Sequence, residues 1–205
     1  MKKSIYELNK MHRFWETLDE WSDPTVKVFH HHEKINEFTV AEMHKECLNF
    51  TDWMHASTDP AYAPVSFRYY LAKTRNYNRF KHLQWVNSTA KKWDRWLTPP
   101  TEEHFPTIWK FLQENKHQYI NPMISKLGAG EHIRVHNHGG RGPPFVYNMS
   151  LNYPKGCKFA VYPQGMVPYE AGDIYRLHIH NDHAVFNDTD TVRYHLLLRP
   201  VDGTY

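Results

Sequence analysis

The sequence predicts an α+β fold, with N-terminal helices covering a small β-barrel that has a polar interior. Three observations carry this. Apolar residues recur every three or four positions through the first part of the chain, and every second position after Tyr119. The alternating runs are short and bounded by Gly, Pro, Asn and Asp, which suits a sandwich or barrel better than βαβ units. Two of those runs also set histidine and arginine on one face and apolar side chains on the other. A barrel with a ligand cavity turns such a polar face inward and covers its apolar outer face with helices.

In chain order, residues 4–21 read as a first helix. Ser4 and Glu7 stand in capping-box spacing, and Ile5, Leu8, Met11, Trp15 and Leu18 form the apolar stripe. The His30–His32 run reads as a solvated loop. Thr39 caps a second helix whose stripe is Val40, Met43, Cys47, Phe50 and Met54. Residues 57–64 are rich in turn formers. Third and fourth helices are expected over residues 78–96 and 101–117, with Pro106 limiting how early the fourth begins. Strands are expected over residues 120–126, 131–136, 145–153, 158–162, 173–178, 184–186 and 192–199. The chain thus divides into a helical region, 1–118, packed on a β core, 119–205, the two making one compact domain.

Composition narrows the class. A chain of 205 residues can bury a sizeable core, and 15 % aromatic residues make that core rich in rings. The net charge of +3 comes from 25 basic and 22 acidic side chains, too balanced for nucleic-acid binding by bulk electrostatics. Cys47 and Cys157 lie far apart and form no CxxC pattern, which suits buried thiols in a reducing compartment. The N-terminus has lysines but no apolar signal region, and no run reaches the roughly 18 apolar residues of a membrane span. A cytoplasmic protein without nucleic-acid or membrane partners is expected. The anomaly is 16 histidines, so their placement matters.

Alternation along residues 131–136 puts Ile133 and Val135 on one face, and His132, Arg134 and His136 on the other. In the last strand Val192, Tyr194, Leu196 and Leu198 share a face, opposite Arg193 and His195. Three elements stand out: His136-Asn-His138, then His183, then Arg193 ten residues later. An HxH pair at a strand end and a distant histidine can converge on a first-row metal and leave positions open for substrate and O2. His178-Ile-His180 offers a competing pair just before His183, better suited to loop or supporting roles.

Residues 125–200 resemble the aspartyl/asparaginyl β-hydroxylase family of Fe(II)- and 2-oxoglutarate-dependent oxygenases, which includes bacterial free-proline hydroxylases. The resemblance rests on Ser125-Lys-Leu-Gly-Ala-Gly-Glu-His132-Ile-Arg-Val-His136, Tyr153-Pro-Lys-Gly-Cys157, Glu170-Ala-Gly-Asp173, His183-Ala-Val-Phe-Asn-Asp188 and Val192-Arg193-Tyr-His-Leu-Leu-Leu198. It implies a double-stranded β-helix of cupin or jelly-roll type, with Fe(II) and 2-oxoglutarate as cofactors and an amino acid as substrate, either free or as an Asp/Asn residue in a polypeptide. His136 and His183 fall on the iron-binding positions. Arg193 falls where an arginine meets the C5 carboxylate of 2-oxoglutarate, and Ser125 where a serine hydrogen-bonds it. The third position departs from the pattern: His138 stands where the free-proline hydroxylases have Asp and the aspartyl/asparaginyl hydroxylases a non-ligating Gly. Three-His and two-His sites both remain open. The family's second arginine is also missing, with Arg141 or Arg134 as stand-ins, and the 139–144 loop is placed to shape the substrate entrance. Two other readings compete, a three-His cupin dioxygenase that does not use 2-oxoglutarate and a non-catalytic cupin-like binding protein.

Overall fold

The structure, a computed structural model, describes residues 13–50, 54–55, 80–84, 102–139 and 144–201. The alternating segments form strands: β1 (Phe29–Lys34), β2 (Met54–His55), β3 (Phe80–Gln84), β4 (Tyr119–Leu127), β5 (His132–His136), β6 (Phe145–Ser150), β7 (Cys157–Val161), β8 (Gly165–Met166), β9 (Asp173–His178), β10 (His183–Asn187) and β11 (Arg193–Pro200). They pair antiparallel into a larger sheet, ordered β1-β9-β6-β11-β4-β3-β2, and a smaller one, β5-β10-β7-β8. From β4 to β11 the chain passes back and forth between the sheets, with β7 and β8 paired as neighbours in the smaller one. That winding is the expected double-stranded β-helix.

Apolar side chains decide which face of each sheet is covered by what. Between the sheets lie Val146, Tyr175 and Leu177 from the larger and Phe159, Val161 and Val185 from the smaller. The smaller sheet's outer face is covered by Phe14 and Trp15 and by α1 (Leu18–Trp21). Ala160 and Ala184, directly paired and fully buried, leave room there for the rings. The larger sheet's outer face is covered by α2 (Glu37–Asn49) and α3 (Pro106–Glu114). Met43, Cys47, Ile108 and Phe111 pack there on Ile174, Tyr194, Leu196 and Leu198.

The helices differ from expectation at their ends. Asn36, not Thr39, caps α2, its side chain accepting from the Phe38 N–H at 2.9 Å. Val40, Met43 and Cys47 are buried as the stripe requires, but Met54 lies beyond the helix and opens β2. Pro106 is the first residue of α3, where its missing N–H costs nothing. The expected helix over residues 78–96 is overturned in its described part: Phe80–Gln84 is a strand paired with β4. Sheet pairing outweighs a local helical pattern there. The His30–His32 run is likewise strand rather than loop, paired with β9 and largely exposed. Residues 4–12, 57–64 and 140–143, Arg141 among them, lie outside the described residues. Among the described residues no helix is long and apolar enough to cross a membrane.

Candidate metal centre

One irregularity aims the first histidine. His136 pairs with His183 and Ile133 with Val185, so three steps along β5 match two along β10. This β-bulge breaks the alternation and separates Ile133, which joins the inter-sheet cluster, from Val135, which packs outward on the Phe14 cluster. The expected common face for Ile133 and Val135 is therefore corrected. His136 and His183 stand side by side facing the inter-sheet space, with ring centroids 4.2 Å apart. The His138 loop is fastened beside them: its own N–H donates to the Ile179 carbonyl at 3.1 Å, and Asn137 Nδ2 donates to Asp182 Oδ1 at 2.7 Å. The ligand atoms of His136, His138 and His183 all lie within 4.8 Å of one another.

Hydrogen bonding sets the tautomers. Nδ1 of His136 meets the Arg134 carbonyl and Nδ1 of His183 the Asn181 carbonyl, each at 2.8 Å. A carbonyl only accepts, so both rings carry their proton on Nδ1 and keep the Nε2 lone pair free. Burial, then the neighbouring His136, holds His183 well below the usual histidine range. Burial also lowers His136, while burial followed by His136, Arg199 and His180 lowers His138 to about 4. The three rings are neutral at physiological pH, as metal binding requires. His178 and His180 stay outside this group, His178 Nδ1 lying 2.7 Å from Asn181 Oδ1.

Arg193 lies across the inter-sheet space. It is 1 % exposed, and its Nε has no hydrogen-bond partner among the described residues. Burial lowers its pKa, and the groups that counter this are Cys157, Tyr153 and Tyr169, none of them a carboxylate. The guanidinium sits 5.7 Å from the Phe159 ring centre, and that ring is 6.4 Å from His183. Ser125 and His195 are paired across β4 and β11, both buried, and Ser125 Oγ and His195 Nε2 also lack hydrogen-bond partners among the described residues. Burial, then Arg193, keeps His195 well below its usual pKa. Asn187 ties down this end, its Nδ2 donating to the carbonyls of Leu127, Gly128 and Thr191 at 3.1, 2.8 and 2.7 Å.

Residues 59–201 match the family Aspartyl/Asparaginyl beta-hydroxylase. The chain belongs to that family. The match begins well upstream of residue 125, so the hydroxylase pattern takes in much of the N-terminal region as well. No curated protein matches the chain by sequence. Similar solved structures include a prolyl hydroxylase in complex with a hypoxia-inducible-factor oxygen degradation domain peptide from Trichoplax adhaerens. It has a TM-score of 0.56 and 12 % identity, over 95 % of this chain and 92 % of that one. HygX from Streptomyces hygroscopicus, solved with nickel and 2-oxoglutarate, has a TM-score of 0.52 and 8 % identity, over 89 % and 85 %. At such identities the likeness is one of fold. Family membership makes the chain an Fe(II)- and 2-oxoglutarate-dependent oxygenase of the hydroxylase type.

The residues fit these cofactors. Three neutral imidazoles converge, two of them with Nε2 free by hydrogen-bond logic, and that is a donor set for a borderline divalent metal. Opposite them a buried cation and a serine hydroxyl have hydrogen-bonding capacity unmet among the described residues, which a carboxylate satisfies. Sequence reading missed the aromatic wall of Tyr153, Phe159 and Tyr169 around Arg193, because nothing in a linear pattern says that these rings meet.

Proposed function

We propose that His136, His138 and His183 hold Fe(II), and that Arg193 and Ser125 hold the far carboxylate of 2-oxoglutarate. The observation that carries this is the pairing of a three-imidazole cluster with a fully buried arginine that faces no carboxylate among the described residues. With O2, the bound metal and cosubstrate supply the oxidant that converts a substrate C–H to C–OH, leaving succinate and CO2. The chain's own contribution is positional. Backbone carbonyls orient two imidazoles, the bulge in β5 turns His136 inward, and the aromatic wall excludes water from the Arg193 pocket. Following the family, the substrate is an amino acid, either free or as an Asp/Asn residue in a polypeptide. Two free buried cysteines support a cytoplasmic setting. A three-His dioxygenase independent of 2-oxoglutarate leaves Arg193 without a role, and a metal-free binding protein leaves the three-imidazole cluster without one.

Anaerobic titration tests this reading. Adding 2-oxoglutarate to the Fe(II)-loaded protein should raise the visible absorbance of a bidentate chelate. His183→Ala should abolish that absorbance and Arg193→Ala should shift its midpoint to higher 2-oxoglutarate. A featureless titration of the wild-type protein, or an unchanged one for His183→Ala, overturns the assignment.

A further inference from the structure

The face of β11 that bears Arg193 carries a second arginine at the other end of the strand. Tyr194, Leu196 and Leu198 are buried in the outer core, so residues 193, 195, 197 and 199 turn toward the inter-sheet side. The register Leu197↔Asn148 and Leu198↔Tyr147 directs Arg199, the next residue, toward the end of β6 that holds Val146, a member of the inter-sheet cluster. Val146 pairs with Leu177, and the chain runs on through Ile179, whose carbonyl holds the His138 N–H, to His180. Strand register and the Ile179–His138 hydrogen bond therefore place Arg199 and His180 at the His138 end of the barrel.

Neither group is spoken for. Arg199 is partly exposed and makes no ion pair, hydrogen bond or ring contact among the described residues. Nε2 of His180 is buried without a hydrogen-bond partner among the described residues. Six residues of strand, about 20 Å, separate Arg199 from Arg193. A five-carbon diacid seated on Arg193 leaves Arg199 to another anion.

Resting on the cosubstrate site proposed above, we propose that Arg199, with His180 as a second polar contact, receives a carboxylate of the prime substrate. The substrate is then anionic, an amino acid presenting either a free α-carboxylate or an acidic side chain. A guanidinium suits this because it stays charged and meets a carboxylate with two parallel hydrogen bonds.

The test uses the Fe(II) protein with 2-oxoglutarate and the standard L-amino acids, each supplied free and as its N-acetyl amide, with succinate release as readout. Stimulating probes should all carry a carboxylate. Stimulation by free forms alone assigns it to the α-carboxylate, and stimulation by blocked Asp or Glu assigns it to the side chain. Arg199→Met should raise the KM of those probes about tenfold to a hundredfold, with Arg199→Lys intermediate. Thermal stabilisation of Arg199→Met by Mn(II) plus 2-oxoglutarate should match wild type, showing an intact fold and cosubstrate site. Any of three results overturns the proposal: carboxylate-free probes stimulate equally, no carboxylate-bearing probe stimulates a wild-type protein that binds 2-oxoglutarate, or Arg199→Met weakens 2-oxoglutarate instead. Failure of the underlying cosubstrate reading shows separately, as wild-type protein that Mn(II) plus 2-oxoglutarate does not stabilise.

Discussion

Arg193 is sealed from water, and among the described residues its Nε is unmet and no carboxylate stands beside it, which penalises the fold by several kcal/mol unless an anion arrives. Methionine fills similar volume without the charge. Arg193→Met should therefore raise the stability of the ligand-free protein by about 1 kcal/mol, measured by denaturant unfolding. The same variant should lose the stabilisation that saturating 2-oxoglutarate with Mn(II) confers, about 2.7 kcal/mol at a hundredfold excess over Kd. A variant destabilised without ligand and still stabilised with it would make Arg193 a structural cation. The face of Arg193 could be read from sequence because Val192, Tyr194, Leu196 and Leu198 declare the opposite face, and the β11–β4 register shift falls beyond Leu197. Ile133 could not, since the bulge that turns it inward depends on pairing with β10, which no single strand encodes.

Helix α3 begins without a capping side chain of its own, because Phe105 occupies the N-cap. Glu46 of α2 supplies the acceptors instead, taking the Thr107 N–H at 2.6 Å and the Ile108 N–H at 3.2 Å. The carboxylate also meets the positive end of the helix dipole. Glu46→Ala should cost about 1–2 kcal/mol in unfolding free energy and leave Mn(II) and 2-oxoglutarate affinities unchanged, since α2 and α3 cover the outer face of the larger sheet. Glu46→Gln should retain part of the loss. Equal stability of Glu46→Ala and wild type would deny the tie. Both helices are legible in the sequence through their apolar stripes, and Pro106 marks where α3 can start. The cap that joins them spans 61 residues and is not legible. Residues 80–84 mislead for a related reason: their place is decided by the free edge of β4, a property of the assembled sheet.

At the scale of the whole molecule, the two sheets are covered independently, the larger by α2 and α3 and the smaller by Phe14, Trp15 and α1. The proposed site divides along the same line. His136 and His183 belong to the smaller sheet, Arg193 and Ser125 to the larger. On that proposal, 2-oxoglutarate held by the metal on one side and Arg193 on the other would bridge the sheets, and neither half-site alone would bind it well. Metal and cosubstrate affinities should then be coupled, and the coupling must be reciprocal. Calorimetric titration should show 2-oxoglutarate binding at least tenfold tighter with Mn(II) present, and Mn(II) binding tighter by the same factor with 2-oxoglutarate present, about 1.4 kcal/mol. The paired ligands should raise the melting temperature by more than the sum of their separate shifts. His183→Ala should remove the coupling by breaking the metal half, and Arg193→Met by breaking the other. Equal 2-oxoglutarate affinity with and without Mn(II) would mean that the arginine pocket binds a diacid on its own, and the two sheets would then hold two unconnected sites.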